Sequence, residues 1–517
     1  MTIVVIPALL AVPVPVSANS PEGPRVHWQE CQDYAALDCA SLDVPMNHAD
    51  PDSRRITLAL VRAPAARPAE KLGSLVLNRG GPGYSSTEYL RVIKDGTVPA
   101  PVDQRVWEHY DVIGLDQRGV GQARPSVTCF ESAQEREGFN ADVPVFPVTA
   151  RDVGRRALKD LHFAALCRQR SGALLDHLST ATVARDLDLV RQALGESRLN
   201  YLGQSYGVHL GLAYANMFPD RMGSLVLDSV LNPARSLTGP LWTVPSERTG
   251  SDTATQEVFD EFLRLCARGN SCGFAAHRPR QAFDQLATAL REDPLHLVAP
   301  DGAQVTLTYP KLVAFVGGLL YQPVAWESMD RVLDLTYRVQ TSPSEPDAAE
   351  LAASVQWMDQ LGFDAPYTDL KGLYSAFTCN DVDMPRLSLA WWGAARRRAA
   401  VSPHFATLRA YDTSPCAFWR STPRERYTGP WSVDTEIPVL ILNNRFDGST
   451  PVGGAKDLHR RLPNSRLIVN EGWGHITTQQ STCMTAVASA YLAAGSVPDP
   501  GTSCLPDLTP FAGSPGE

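Results

Sequence analysis

The stretch Arg198-Leu-Asn-Tyr-Leu-Gly-Gln-Ser-Tyr-Gly-Val208 decides the fold of this chain. An apolar run typical of a strand comes first, the pentapeptide Gly203-Gln-Ser-Tyr-Gly207 follows, and a helix-compatible run comes directly after it. A strand, a Gly-x-Ser-x-Gly turn and a helix in this order expose a serine hydroxyl on a sharp, strained turn. Both glycines are needed because side chains there would collide with the neighbouring strand and helix. We therefore predict that Ser205 is a nucleophile rather than part of an ordinary surface turn.

Further short apolar runs recur along the chain, and several contain consecutive rather than alternating apolar residues. Consecutive apolar residues are typical of strands that are covered on both faces, as in a parallel sheet. The predicted strands are 74–78, 111–116, 199–202, 224–228, 438–443 and 466–469. Helical spacing lies between some of them, as over 182–194 and 454–462. This alternation predicts an α/β fold with a mostly parallel sheet.

The succession of strands stops between residues 232 and 427, where helix formers and aromatic residues predominate. We interpret this region as an inserted, mainly helical cap. The predicted division of the chain is a leader over 1–18, a first part of the core over 19–231, the cap over 232–427, a second part of the core over 428–495 and a C-terminal tail over 496–517.

Composition limits the partners of the protein. The chain has 517 residues, a net charge of −9 and a pI of about 5.7. No basic surface is indicated, so nucleic acid is not an expected partner. The mean hydropathy is −0.16, and no apolar run has the length of a membrane-spanning helix, so no membrane span is expected either. Composition does not determine the oligomeric state.

The N-terminal segment resembles a secretory signal. Residues 4–16 are apolar, and small residues that suit cleavage after Ala18 follow. No Lys or Arg precedes Arg25, so the basic part of the usual pattern is missing. The alternative, a buried first strand, is disfavoured by three prolines within the segment. We predict that the protein is secreted.

Ten cysteines accompany this leader, and an even number in an exported chain predicts disulfides. No Cys-x-x-Cys pair and no His/Cys cluster with zinc spacing occurs, so no metal site is expected. Reduced thiols in a cytosolic protein remain the alternative. The simplest hypothesis joins neighbours along the chain: Cys31 to Cys39, Cys129 to Cys167, Cys266 to Cys272, Cys379 to Cys416 and Cys483 to Cys504.

A serine nucleophile needs a general base and an acid that orients the base. In hydrolases built on the strand–turn–helix motif, the chain order is Ser, then Asp or Glu, then His. Downstream of Ser205, Asp447 follows one predicted strand and His475 follows the next, which places both at the edge where α/β sheets carry their sites. Asp457 and Glu471 are the rival acids.

The oxyanion that forms during acyl transfer needs two N–H donors. One is expected to be Tyr206, directly after the nucleophile. The other is expected in the loop Asn78-Arg-Gly-Gly-Pro-Gly83, where we choose the N–H of Gly81, with Gly80 as the alternative. An ordinary Gly/Pro turn is the other interpretation of this loop.

Together these motifs resemble the secreted tripeptidyl-aminopeptidase branch of the prolyl-aminopeptidase-like serine peptidases, a group of α/β-hydrolases. The resemblance implies an α/β-hydrolase fold, a triad of Ser205, Asp447 and His475, an acyl-enzyme, and no cofactor or metal. One departure is Arg79, where relatives usually carry Pro or His. The matching segments are Asn78–Ser85, Gly114–Gly121, Tyr201–Gly207, Phe218–Arg221, Leu225–Asp228, Asp447–Pro451 and Gly472–His475.

Two further residues receive roles. The segment Asp116-Gln-Arg-Gly119 is expected to brace the site, and Arg118 within it is expected to pair with a carboxylate under the oxyanion loop rather than bind substrate. An exopeptidase also needs an anion for the α-ammonium of its substrate. The family often carries a Cys-x-Asp segment at the position of Cys379-Asn-Asp381, so Asp381 is the candidate substrate-binding residue, with a solvated acidic loop as the alternative.

The predicted function is therefore a serine aminopeptidase that releases short N-terminal peptides or residues. A carboxylesterase or lactonase with the same triad remains the alternative, so the expected partner is a peptide or a small ester. A catalytically dead binding protein is disfavoured because all triad members are present.

Overall fold

The computed structural model describes residues 25–360, 369–421 and 425–512. The predicted leader, 1–18, lies outside the described residues. Two sheets occur in the described ranges. Their strands are β1 (Gln29–Cys31), β2 (Tyr34–Asn47), β3 (Asp50–Ala63), β4 (Gly73–Asn78), β5 (Tyr110–Asp116), β6 (Leu199–Gln204), β7 (Met222–Asp228), β8 (Leu295–Val298), β9 (Gln304–Leu307), β10 (Val439–Phe446), β11 (Ser465–Trp473) and β12 (Ser503–Cys504).

Helices connect and cover these strands. In chain order they are α1 (Ser86–Lys94), α2 (Gln104–His109), α3 (Ala133–Asn140), α4 (Ala150–Ser171), α5 (Thr180–Ala193), α6 (Tyr206–Met217), α7 (Pro233–Ser236), α8 (Pro245–Thr249), α9 (Ser251–Cys266), α10 (Pro279–Glu292), α11 (Tyr309–Leu319), α12 (Trp326–Thr341), α13 (Glu345–Gln360), α14 (Leu370–Asp381), α15 (Leu389–Arg398), α16 (Ala406–Tyr411), α17 (Val452–Arg461) and α18 (Thr482–Ala494).

The large sheet has the order β1-β2-β3-β5-β4-β6-β7-β10-β11-β12. From β5 to β12 the neighbours are parallel, whereas β1, β2 and β3 pair antiparallel with one another and β3 pairs antiparallel with β5. The six predicted strands all exist and form β4, β5, β6, β7, β10 and β11. The mostly parallel sheet predicted from the sequence is therefore confirmed.

Burial on both faces explains the consecutive apolar residues. Every residue of β4 is buried. Leu75 and Leu77 pack into a cluster with α1 and α18, while Val76 between them packs into the cluster on the other face, with α5 and α6. Side chains of successive strand residues point to opposite faces, so a strand covered on both sides must be apolar at each position.

The antiparallel edge was not predicted. The first half of β3 is polar and exposed, and only from Ile56 onward do buried residues alternate with partly exposed ones. A strand is recognised in a sequence by apolar residues at every second position, and a long polar run contains no such alternation. Pairing with β2 along most of its length holds this exposed half of β3 in the sheet.

The region 232–427 contains α7 to α16 and packs into its own hydrophobic cluster. Large aromatic residues such as Phe262 and Trp326 lie at its centre. Trp473, at the end of β11, and Phe511, in the C-terminal tail, also belong to this cluster. The helical cap is thus anchored to the sheet, and it additionally carries the hairpin β8–β9, which was not predicted.

The five predicted disulfides are confirmed: Cys31–Cys39, Cys129–Cys167, Cys266–Cys272, Cys379–Cys416 and Cys483–Cys504. Within the described residues, one group of potential metal ligands occurs, and it comprises Cys266, Cys272 and Asp330. Its two cysteines are joined to each other, so neither offers a thiolate. The carboxylate of Asp330 accepts the N–H groups of Gly273 and Phe274 instead.

No helix in the described ranges combines the length and the apolar character that crossing a bilayer requires.

Arg118 links the end of β5 to α5. It is fully buried, and its guanidinium donates to both carboxylate oxygens of Asp186 at 2.6 Å. It also donates to the backbone carbonyls of Pro45, Met46 and His177. The bracing role is confirmed, because a fully buried group cannot contact substrate. The predicted place of the partner is corrected, because that carboxylate belongs to α5.

Replacing Arg118 with Ala should destabilise the protein by about 3–5 kcal/mol, because it leaves Asp186 buried without its counter-ion. Denaturant unfolding followed by fluorescence measures the change. The control is Arg331→Ala, which removes an exposed ion pair with Glu350 and should change the free energy of unfolding by less than about 1 kcal/mol. Equal effects of the two variants would contradict the assigned brace.

Candidate active site

A cavity of about 660 Å³ lies where the parallel strands end beneath the cap. This volume suits a small ligand or a short peptide. Residues of the sheet loops line it together with residues of α8, α14 and α16 from the cap. Ser205, His475 and Gly81, which the sequence singled out, all line this cavity.

Ser205 occupies the turn between β6 and α6 with φ 56° and ψ −119°, a conformation that is costly for a residue with a side chain. Its N–H donates to the backbone carbonyl of Asp228 at 2.9 Å. A Cβ on Gly203 would lie 2.4 Å from the carbonyl oxygen of Gly207, and a Cβ on Gly207 would lie 2.6 Å from that of Asn78. Both glycines are therefore required by close packing, as predicted.

His475 follows β11, and its ring is held on one side by an acid. Nδ1 lies 2.9 Å from Oδ2 of Asp447, which follows β10. The backbone N–H of His475 donates to the backbone carbonyl of Tyr321 at 2.8 Å, and the Tyr321 ring stands edge-on to the imidazole. The imidazole is thus oriented from both the core and the cap.

Asp447 is buried and fully engaged. Its Oδ1 accepts the N–H groups of Ser449 and Thr450, and its Oδ2 accepts the Thr450 hydroxyl at 2.7 Å. Burial opposes ionisation, but the attraction of His475 and these hydrogen bonds outweigh it, so the pKa of Asp447 lies below its ordinary value. The site therefore presents a carboxylate, rather than a carboxylic acid, to the imidazole.

The rival acids lie elsewhere. Asp457, on α17, pairs with Arg235 and Arg460. Glu471 pairs with Arg445 at 3.4 Å. Asp447 is the acid in hydrogen-bond contact with the imidazole of His475.

The glycine loop that carries the predicted donor Gly81 lies against the turn that carries Ser205. A Cβ on Gly80 would lie 2.3 Å from the carbonyl oxygen of Gln204 and 2.9 Å from the nitrogen of Tyr206. The Gly80 N–H donates to Oδ1 of Asn78 at 2.9 Å. This bond favours Gly81 over Gly80 as the second donor. The N–H of Tyr206 is the first of α6, where the fold supplies no intrahelical acceptor.

Comparisons with known proteins agree with this architecture. The family model described as alpha/beta hydrolase fold matches residues 73–278, and the model described as TAP-like protein matches residues 402–504. The chain is a TAP-like α/β-hydrolase. It is a serine hydrolase by this fold and by the names of its relatives.

Three curated relatives extend over nearly the whole chain. The tripeptidyl aminopeptidase of Streptomyces coelicolor is 29% identical and covers 94% of this chain and 87% of its own length. Serine protease Hip1 of Mycobacterium tuberculosis is 28% identical, covering 93% of this chain and 91% of its own. Carboxylesterase B of the same organism is also 28% identical, covering 93% and 90%.

Asp116, the first residue of the predicted bracing segment, lies at the end of β5. Its carboxylate accepts the hydroxyls of Ser85 and Thr87 and the N–H groups of Thr87 and Gln122. These bonds hold the start of α1 directly after the oxyanion loop. Within the bracing segment, Asp116 therefore holds the start of α1, whereas Arg118 holds α5.

A positioning residue to which the sequence analysis gave no role is Asp228, at the end of β7. Its carboxylate is buried and accepts the N–H and the hydroxyl of both Thr477 and Thr478, at 2.7 to 3.1 Å. Burial raises the pKa of this group, while these four bonds act in the opposite direction. The motif ending in Asp228 was visible in the sequence, but its partners lie some 250 residues away and only the fold joins them.

Asp381 lies at the end of α14 and lines the cavity, although only 4% of its surface is exposed. Its carboxylate accepts the N–H of Thr180 and, at 2.6 Å, the Thr180 hydroxyl, which also contacts the hydroxyl of Tyr206. Burial raises the pKa of Asp381 to about 6. The loop is therefore not the solvated acidic segment that was the alternative.

His209 was expected to pack rather than to react. It is buried between the rings of Tyr206 and Trp431, and burial lowers the pKa of His209 to about 3. It stays neutral at physiological pH and borders the cavity as an uncharged side chain.

Substituting Ala for Gly80 should reduce turnover of an activated acyl ester by about 100- to 1,000-fold, because the new methyl group would push the oxyanion loop away from Tyr206. Steady-state kinetics with a p-nitrophenyl ester measures the loss. The matched control is Gly96→Ala, which has a similar φ (+81° against +87°) but open space around its Cβ position. If both variants lost turnover to a similar extent, the cause would be backbone strain and not displacement of the oxyanion loop.

Proposed function

We propose that this serine hydrolase is an aminopeptidase that releases short N-terminal peptides or residues through an acyl-enzyme. The observation that carries the proposal is the cavity itself, which is lined beneath the cap by Ser205 and by His475, whose imidazole is hydrogen-bonded to Asp447. A roofed cavity of about 660 Å³ admits the end of a peptide more readily than the middle of a long chain.

The proposed chemistry follows from the groups that line the cavity. Ser205 Oγ attacks the carbonyl carbon of the scissile bond while His475 removes its proton. The carboxylate of Asp447 holds the imidazole and stabilises its charged form. The N–H groups of Gly81 and Tyr206 stabilise the oxyanion.

The intermediate collapses when His475 passes the proton to the leaving amine, and the N-terminal fragment remains esterified to Ser205. Water then attacks the ester with His475 as base, which frees the fragment as a carboxylic acid and restores the serine. The original serine proton leaves with the amine, and a proton from the attacking water replaces it on Ser205 through His475.

The names of two relatives support peptide substrates, since one is a tripeptidyl aminopeptidase and another a serine protease. A third relative is a carboxylesterase, which favours ester hydrolysis as the second candidate function. Amides and esters pass through the same tetrahedral intermediate, so the catalytic groups do not separate them. Parallel assays on tripeptidyl anilides and short acyl esters would separate the two candidates.

We further propose that the enzyme acts outside the cytoplasm. Five disulfides tie the described chain together, and disulfides of this number are typical of oxidising compartments.

Replacing Ser205 with Ala should abolish labelling by a fluorophosphonate probe and lower kcat on a tripeptidyl anilide by about 10⁶-fold. Probe labelling followed by peptide mapping identifies the modified residue. The control is Ser449→Ala, which changes a serine two residues after Asp447 that is not the proposed nucleophile. The probe should still label this variant. Undiminished labelling of the Ser205 variant would end the assignment.

We propose Asp381 as the group that receives the α-ammonium of the substrate. Asp381 lines the cavity near the start of α6, because the Thr180 hydroxyl contacts both the Asp381 carboxylate and the hydroxyl of Tyr206. Because the pKa of Asp381 is raised to about 6, its carboxylate is charged above that pH and neutral below it. An arriving ammonium would favour the charged form.

In the wild-type enzyme, KM for substrates with a free N-terminus should therefore rise as pH falls through about 6. Asp381→Asn should remove most of this pH dependence and most of the preference for free over acetylated N-termini. Asp383→Asn, which affects an acid paired with Arg426, serves as the control. If Asp381→Asn retained the preference, Asp381 would be left with a purely structural role.

A further inference from the structure

Arg79 lies in the wall of the active-site cavity, one residue before the glycine that touches the nucleophile turn. Its guanidinium is held between two aromatic rings, 5.2 Å from the centroid of Tyr84 and 5.1 Å from that of Tyr89. Stacking on ring faces restricts a guanidinium without neutralising it, and leaves its N–H groups at the edge available.

The other cations of the cavity are engaged with neighbouring groups. Arg409 donates to the hydroxyls of Thr255 and Tyr321 and lies 3.6 Å from the carboxylate of Asp412. Lys371 donates to the backbone carbonyl of Asp412. Over residues 25–360, 369–421 and 425–512, no carboxylate lies within ion-pair distance of Arg79. Among the described residues, the cavity thus contains a partly buried positive charge without a carboxylate counter-ion.

The neighbours of Arg79 show which part of a substrate this charge would meet. The hydroxyl of Tyr89 accepts a hydrogen bond from Gln479, which lies four residues after His475 and lines the same cavity. His475 must deliver a proton to the leaving amine, so the leaving fragment has to lie against this side of the site. Asp381, by contrast, contacts Thr180, whose hydroxyl reaches Tyr206 of α6, so it lies on the α6 side of the cavity.

We propose that Arg79 forms a carboxylate-binding subsite for the fragment that leaves as the amine. This inference rests on the proposed aminopeptidase function. The carboxylate has two sources: the α-carboxylate of a very short leaving fragment, or the side chain of an acidic residue directly after the scissile bond. Arginine recognises either with two parallel N–H donors.

The test compares peptides that share the acyl part Ala-Ala-Ala and differ in the leaving fragment. Gly with a free carboxylate is set against Gly amide, and Glu amide against Gln amide, so the two pairs distinguish the two sources. Cleavage is followed by mass spectrometry as kcat/KM. The wild-type enzyme should prefer the charged member of at least one pair by about tenfold.

Arg79→Gln should bring that ratio close to one, and Arg79→Lys, which keeps the charge but not the paired donors, should give an intermediate ratio. Arg331→Gln, on the surface of the cap, should keep the wild-type ratio. Raising the salt concentration should shrink the wild-type preference, because ions screen a partly exposed charge. This last measurement does not depend on the folding of any variant.

Wild-type ratios near one in both pairs, or an unchanged ratio in Arg79→Gln, would overturn the subsite. The neutral substrate Ala-Ala-Ala-p-nitroanilide separates this failure from that of the proposed function. If the wild-type enzyme cleaves the anilide and the peptides without preference, only the role of Arg79 falls. If it cleaves neither but hydrolyses acyl esters, the aminopeptidase proposal falls and takes the subsite with it.

Discussion

The candidate active site depends on one residue, Asp228, which joins the turn of Ser205 to the loop that carries the imidazole of His475. Its backbone carbonyl accepts the N–H of Ser205, and its carboxylate accepts four donors from Thr477 and Thr478, two and three residues after His475. A buried carboxylate is costly unless its lone pairs are satisfied, so this loop has few alternative positions. The end of β7 therefore fixes the position of the Ser205 turn relative to the loop that carries the imidazole of His475.

Around this point, five adjacent strands of the sheet end together. β4 leads into the oxyanion loop, β6 into Ser205, β10 into Asp447 and β11 into His475, with β7 between the two pairs. Parallel strands place their carboxyl ends at one edge, which gathers residues far apart in the chain. The cap then closes this edge, and its cluster reaches the core through Trp473 at the end of β11. The same element thus positions the imidazole and anchors the roof of the cavity.

The parts of the fold and site that could be predicted are those in which a strand and the residue after it form a local signal. Ser205, Asp447 and His475 each follow an apolar run, and burial on both faces makes such runs easy to recognise. The edge strands β1 to β3 were missed because the exposed half of β3 carries no apolar period. Arg118 was identified as a brace but given the wrong place, because the identity of an ion-pair partner depends on which helix packs above the strand.

The sequence alone identified which residues are the nucleophile, acid and base candidates and which glycines the turn requires, whereas the pairing of neighbouring cysteines was a hypothesis that the structure confirmed. These are properties of short segments, where steric limits on the backbone act between residues close in the chain. The packing of distant segments revealed that Asp228 and Asp116 hold loops at the site and that Asp381 is buried against Thr180. It also showed that no carboxylate of the described residues pairs with Arg79. Charge pairing and burial act through space, so they are settled only when distant segments pack together.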